Sequence, residues 1–243
     1  MATIPRDPTM APSPSPAAIA TTTAFSAAPA AGSSAARFAV FDADLDAEWL
    51  ALLGSAPALA VDTEAMGLVH GRDRLCLVQI SDGHDNVCCI RIGRGQGAAP
   101  RLQQLLEAPA IEKVFHFARF DVAALAEGLG ITTAPIFCTK VASRLARTYT
   151  NRHGLKDLVQ ELCGVELDKQ AQSSDWGRVE ELSEAQLAYA ANDVRYLLAA
   201  RDQLVTMLAR EERLELAQRS FACIPVIAEL DRGLFGAIFE HRS

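Results

Sequence analysis

From residue 37 onward the chain alternates short apolar runs with amphipathic stretches. RFAVFDADL reads as a strand leading into the helix DAEWLALLGS, with Asp46 as its N-cap and Gly54 as its stop. Three more strand-like runs follow, ALAVDTE, RLCLVQISD and NVCCIRI, separated by turns that contain Gly and Asp. Gly83 to Asp85 suit a hairpin connection, and GRGQGAAP reads as a surface loop. Next come the helix RLQQLLEA, the strand KVFHF, the helix RFDVAALAEGLG and the strand IFC. Beyond residue 139, TKVASRLARTY, GLKDLVQELCG and the long run from Ser183 to Ala217 have helical period and composition. Ser183 with Gln186 three residues later fits a capping box. A meander followed by alternating strands and helices predicts an α/β fold, a mixed sheet flanked by helices in a single domain over residues 37–243. The final stretch, FACIPVIAELDRGLFGAIFEH, is apolar enough to require docking on its own domain or on another subunit.

Composition changes this picture at one end. Residues 1–36 are almost entirely Ala, Pro, Ser and Thr, with only Arg6 and Asp7 charged, so the segment has little to bury and is expected to be a disordered tail. It lacks the basic start and continuous apolar core of a secretory signal, and Met10 is an alternative start. No run of apolar residues is long enough for a membrane span. The six cysteines show no metal-ligand or disulfide spacing, which implies a reducing, cytoplasmic setting. The adjacent Cys88 and Cys89 would face opposite sides of a strand, as core residues do.

The formal charge is −7, and Arg6 and Asp7 cancel, so it belongs to the chain beyond the tail. Proteins that grip long nucleic acids present a basic face, because phosphate neutralisation supplies much of the affinity. The acidic balance therefore disfavours a long polynucleotide partner, while leaving room for a very short one.

The candidate chemistry lies in three separated patches. Asp62 and Glu64 end an apolar strand, and residues two apart in a strand share a face. Asp121 follows the strand EKVFHF at the turn into a helix. Tyr189 and Asp193, four apart on a helix, stack on one face. Four converging carboxylates repel one another unless cations neutralise them. An oxygen-only ligand set suits Mg2+ or Mn2+, which points to a site for two divalent cations.

These motifs, an Asp-x-Glu, a later Asp after a strand and a Tyr-x-x-x-Asp on a helix, resemble the ribonuclease D-like branch of the DEDD 3′-to-5′ exonucleases, in its tyrosine subgroup. The stretches RDRLCLVQIS, FHFARFD, FCTKVASRLARTYTNRHGLKDL and KQAQSSDW are similar to a short member of that branch almost throughout. The resemblance implies a ribonuclease H-like fold and metal-dependent phosphodiester hydrolysis from the 3′ end, releasing nucleoside 5′-monophosphates. It implies that Asp62, Glu64 and Asp193 hold one cation, that Asp62 and Asp121 hold the second, and that Tyr189 orients the attacking water. It also implies short RNA oligonucleotides as substrates, dinucleotides in particular, and a ring-like homo-oligomer such as an octamer. Full-length ribonuclease D carries further helical domains; the end of this chain at Ser243 favours short substrates over structured RNA. The alternative is 3′ trimming of longer or structured RNA, or of DNA. A non-catalytic binding module is a third reading, and none of its usual ligand losses is present. Phe117 stands where the family often has Asn, so that residue's role does not carry over.

Lys169, Gln172, Ser173, Ser174 and Trp176 cluster before the helix that bears Tyr189. They either contact substrate phosphate and bases or form a solvated loop anchored by Trp176. His116 either meets the sugar or phosphate near Asp121 or is a satisfied core histidine. Leu68 either wedges between substrate bases or is a plain loop residue. Arg144, Arg147, Arg152, His153 and Lys156 are the one local basic concentration, meeting phosphate or pairing on helix surfaces.

Overall fold

Apolar and β-branched runs build the sheet. In the computed structural model, which describes residues 37–84, 86–167 and 174–241, β1 (Arg37–Asp42), β2 (Ala58–Ala65), β3 (Leu75–Ser81), β4 (Asn86–Arg91), β5 (Glu112–Phe115) and β6 (Ile136–Cys138) form one mixed sheet. Its order is β1-β4-β3-β2-β5-β6. β2, β3 and β4 pair antiparallel, whereas β1 joins β4, β5 joins β2 and β6 joins β5 in parallel. The first strand thus closes the meander from its far edge. β3 is buried at every position, as a central strand covered on both faces must be. The expected tail, residues 1–36, lies outside the described residues, as does Asp85 of the expected hairpin turn.

Helices cover both faces: α1 (Ala47–Gly54), α2 (Pro100–Leu106), α3 (Ala118–Leu129), α4 (Thr139–Ala146), α5 (Leu155–Cys163), α6 (Glu184–Arg195), α7 (Leu197–Arg210), α8 (Leu214–Ala222) and α9 (Ile224–Arg232). Asp46 caps α1 by accepting from the Trp49 N–H at 2.7 Å, and Ser183 with Gln186 forms the full capping box of α6. The long helical run is broken at Tyr196 and again at Glu211 to Arg213, giving three helices where the periodicity shows one. The apolar C-terminal run becomes α9, which packs on α3; Arg119 of α3 grips Asp231 of α9, with Nε to Oδ2 at 2.7 Å. Beyond it, Leu234, Phe235, Ile238 and Phe239 remain exposed.

Two buried clusters lie against the sheet. The larger contains Cys88, the smaller Cys89 with Cys76, Leu77, Trp176, Val179 and Ala190, so the adjacent cysteines do point to opposite faces. Cys76, Cys88, Cys89 and Cys138 are buried, whereas Cys163 is half-buried and Cys223 exposed. Lys113 of β5 is fully buried and donates to the carbonyls of Ala108, Ile111 and Ala134 at 2.8, 2.6 and 2.5 Å. It ties the end of α2 and the chain before β6 to the sheet. Among the described residues no helix is long and apolar enough to cross a membrane.

Candidate active site

The carboxylates sit where β2 leaves the core. Asp62 and Glu64 share a face of that strand, and α6 lies across β2, β3 and β4, bringing Asp193 to them. One oxygen from each of Asp62, Glu64 and Asp193 lies within 4.8 Å of the others. Asp121 stands outside this trio, on the first turn of α3. It is 3 % exposed, and its Oδ1 accepts a 2.7 Å hydrogen bond from the Thr63 hydroxyl. Its charge still reaches Asp62, more strongly than that of any other neighbour. The four acids therefore form a trio with Asp121 nearby, tied to β2 through Thr63.

Their proton affinities record the crowding. Burial first, then Asp121, Asp193 and Glu64, push Asp62 well above the usual carboxylate range. Burial and the charges of Asp193 and Asp121 raise Glu64 to about 8. Burial raises Asp121 to about 7, against the lowering effect of the Thr63 hydrogen bond. Among the described residues no lysine or arginine offsets this crowding at Asp62, Glu64 or Asp121. Oxygen donors held close without counter-charge fit hard divalent cations. Tyr189 hydrogen-bonds Asp193, and burial together with that carboxylate pushes its phenol far above the usual value. The phenol keeps its proton.

An open cleft of about 610 Å³ faces these acids. Leu68, 79 % exposed, stands on its rim, and His116, Ser174 and Trp176 line it. Trp176 is also core: it is 4 % exposed, and its ring centroid lies 6.2 Å from that of Tyr189. Trp176 thus anchors its segment in the core while lining the cleft. His116 Nδ1 lies 2.9 Å from the Thr139 hydroxyl, and burial with the nearby Lys140 charge lowers its pKa to about 3, so the ring is neutral. Lys169, Gln172 and Ser173 lie outside the described residues.

Most of the basic concentration is paired within the chain, although Arg147 alone is buried and Arg144 and Arg152 are exposed. Arg147 is buried and bonds Glu161, Ser143 and the Arg152 carbonyl; Arg152 pairs with Asp157, Lys156 with Glu166, and His153 with Ser143. Of this group Lys156 also lines the cleft.

Several neighbours were not legible as site residues. Thr63 alternates away from Asp62 and Glu64, and only the α3 packing turns it toward Asp121. Lys140 lines the cleft with its Nζ 4.4 Å from the Phe117 ring centroid. Phe117 itself has φ 73°, a left-handed conformation that Asn tolerates far better than Phe. Arg74 donates to the Ile92 and Gly177 carbonyls, both at 2.8 Å, and so fastens the segment after Trp176 to the sheet.

A mixed sheet, crowded strand-end acids suited to divalent cations and an open cleft are the features a cation-dependent nuclease needs. The sequence profile of the 3′-5′ exonuclease family matches residues 38–209, and the chain belongs to that family. Brucella melitensis NrnC is 45 % identical, with a TM-score of 0.79 over 84 % of this chain and 98 % of that one. A nuclease solved in its apo form is 49 % identical, with a TM-score of 0.80 over 84 % and 99 %. Structures of the Brucella protein include one with bound Mg2+ and one bound to pGG. Ribonuclease D of Acidiphilium cryptum is 37 % identical over 163 residues, 67 % of this chain and 41 % of that protein. The chain thus spans about two fifths of the length of that curated relative. Its ribonuclease H-like fold and its use of divalent cations follow from this membership and from the acid cluster.

Proposed function

We propose that the protein hydrolyses short oligoribonucleotides from the 3′ end, dinucleotides above all, and releases nucleoside 5′-monophosphates. The observation that carries this reading is the Asp62, Glu64 and Asp193 trio with Asp121 beside it, opening onto the cleft. Two cations are the natural count for four acids: Asp62, Glu64 and Asp193 would hold one, and Asp62 with Asp121 the other. When bound, they supply water activation and stabilisation of the phosphate charge. The remaining work belongs to the chain. Tyr189, protonated, holds the attacking water in line through its hydroxyl, next to Asp193. Trp176 supports that phenol from the core side, and Leu68 on the rim separates adjacent bases. Ser174, with Lys169, Gln172 and Ser173, contacts the far end of a short substrate, and His116 the sugar near Asp121.

Two observations support a short substrate over the longer RNA handled by ribonuclease D. The net charge is −7, and much of the basic concentration at residues 144–156 is tied up in internal ion pairs. The pGG bound by the similar Brucella protein supports the same reading. We assign the exposed face formed by Leu234, Phe235, Ile238 and Phe239 to self-association; light scattering on a gel-filtration column should show an oligomer, and a monomer would remove this assignment. The compact unit from residue 37 onward, with the preceding tail, is proposed to work in the cytoplasm.

Product analysis tests the chemistry. Incubation of pGG with Mg2+ should yield GMP carrying a 5′ phosphate, and none in EDTA or with Asp62→Ala. Products with 3′ phosphates would contradict it.

A further inference from the structure

Gln79 stands out among the described residues because both ends of its buried amide lack a partner. It sits in the middle of β3, fully buried. A buried amide without hydrogen bonds costs stability, on the order of 1–3 kcal/mol for each unmade bond. An apolar residue of similar volume would fill the same space at no such cost.

Its position is specific. In the antiparallel pairing of β2 with β3, Gln79 is the register partner of Asp62. Directly opposed residues project on the same face, with Cβ atoms about 4.5–5.5 Å apart. The face is the one that α6 covers, bringing Asp193 to Asp62. On its other side Gln79 is opposed by Cys89, a buried thiol whose proton affinity burial raises to about 12, so that neighbour stays neutral. The amide is thus a neutral donor set beneath the carboxylate that serves both proposed cation positions.

We propose that Gln79 is a positioning residue: its amide N–H group donates to the carboxylate of Asp62 and fixes that carboxylate in its ligating orientation when divalent cations bind. The inference rests on the reading of Asp62 as a cation ligand. Partners that orient a ligating carboxylate from behind typically change metal affinity by about 10–100-fold when removed. In the metal-free protein the same amide is a burden, because both of its polar atoms are buried without a hydrogen-bond partner.

These two statements carry opposite signs, which separates a positioning role from plain packing. Gln79→Met keeps the volume and removes the amide. In EDTA its Tm should equal or exceed that of the wild type. Its Kd for Mn2+, read by electron paramagnetic resonance of free Mn2+ or by calorimetry, should rise about 10-fold. Gln79→Leu should behave in the same way, and serves if the methionine variant packs poorly. Unchanged Mn2+ affinity in a folded variant would overturn the proposal, as would a loss of Tm in EDTA with no change in affinity. Wild-type protein that binds Mn2+ yet leaves oligonucleotides intact would refute the proposed function, and the role of Gln79 would still be decided by the affinities.

Discussion

The Thr63 hydroxyl donates a 2.7 Å hydrogen bond to Oδ1 of Asp121, joining β2 to a helix 58 residues further along the chain. Thr63 lies between Asp62 and Glu64 but on the opposite face of the strand. One short segment thus supplies two carboxylates and orients a third. Thr63→Val keeps the shape and removes the donor, so Asp121 is held less firmly. The Mg2+ concentration for half-maximal activity should rise about 10-fold; a magnesium titration that matches the wild type would contradict this.

The site should destabilise the metal-free protein as pH rises. Glu64 titrates at about 8 and Asp121 at about 7 in the folded chain, against ordinary values near 4.5 and 3.8. The folded state therefore binds more protons than the unfolded one between about pH 4 and 8, and its stability falls across that window. In EDTA, the Tm of Glu64→Gln should exceed that of the wild type at pH 8 and match it near pH 4. The gain is about 2–4 °C for each kcal/mol of relieved burial and repulsion. Mg2+ should raise the wild-type Tm most at the alkaline end. Scanning fluorimetry across pH checks both signs.

Tyr189→Phe should lower kcat by about 100-fold, in the range for a positioned hydroxyl in proton transfer and orientation, while the metal dependence stays as it was. Full turnover would mean that the hydroxyl does not orient the water.

Lys113→Met removes a shared donor from three backbone carbonyls far from the cleft, of which Ala108 keeps the Ile111 N–H. We expect a loss of about 2–3 kcal/mol, read as a fall in Tm of roughly 5–10 °C, with the Mg2+ dependence unchanged. A Tm within a degree of the wild type would show that these carbonyls find other partners.

Local pattern carried much of this architecture. Short apolar runs located the six strands, caps located the starts of two helices, and the i, i+4 spacing placed Tyr189 beside Asp193 as observed. What stayed hidden depends on long-range packing. That β1 pairs with β4 is a pairing across some fifty residues, and no periodicity reports it. The breaks at Tyr196 and at Glu211 fall inside continuous helix-forming sequence. Thr63 and Gln79 look like ordinary strand residues until the register and α3 place them against Asp121 and Asp62. Arg147 reads as a surface cation in the sequence, but the α4–α5 turn buries it against Glu161.

The most direct measurement is a time course on 5′-labelled RNAs of two, three, five and twenty nucleotides with Mg2+ or Mn2+, with EDTA and Asp62→Ala as controls. Rapid, cation-dependent loss of the dinucleotide and slow loss of the twenty-nucleotide strand are expected. Equal or faster degradation of the long strand, with dinucleotides accumulating, would contradict the substrate assignment.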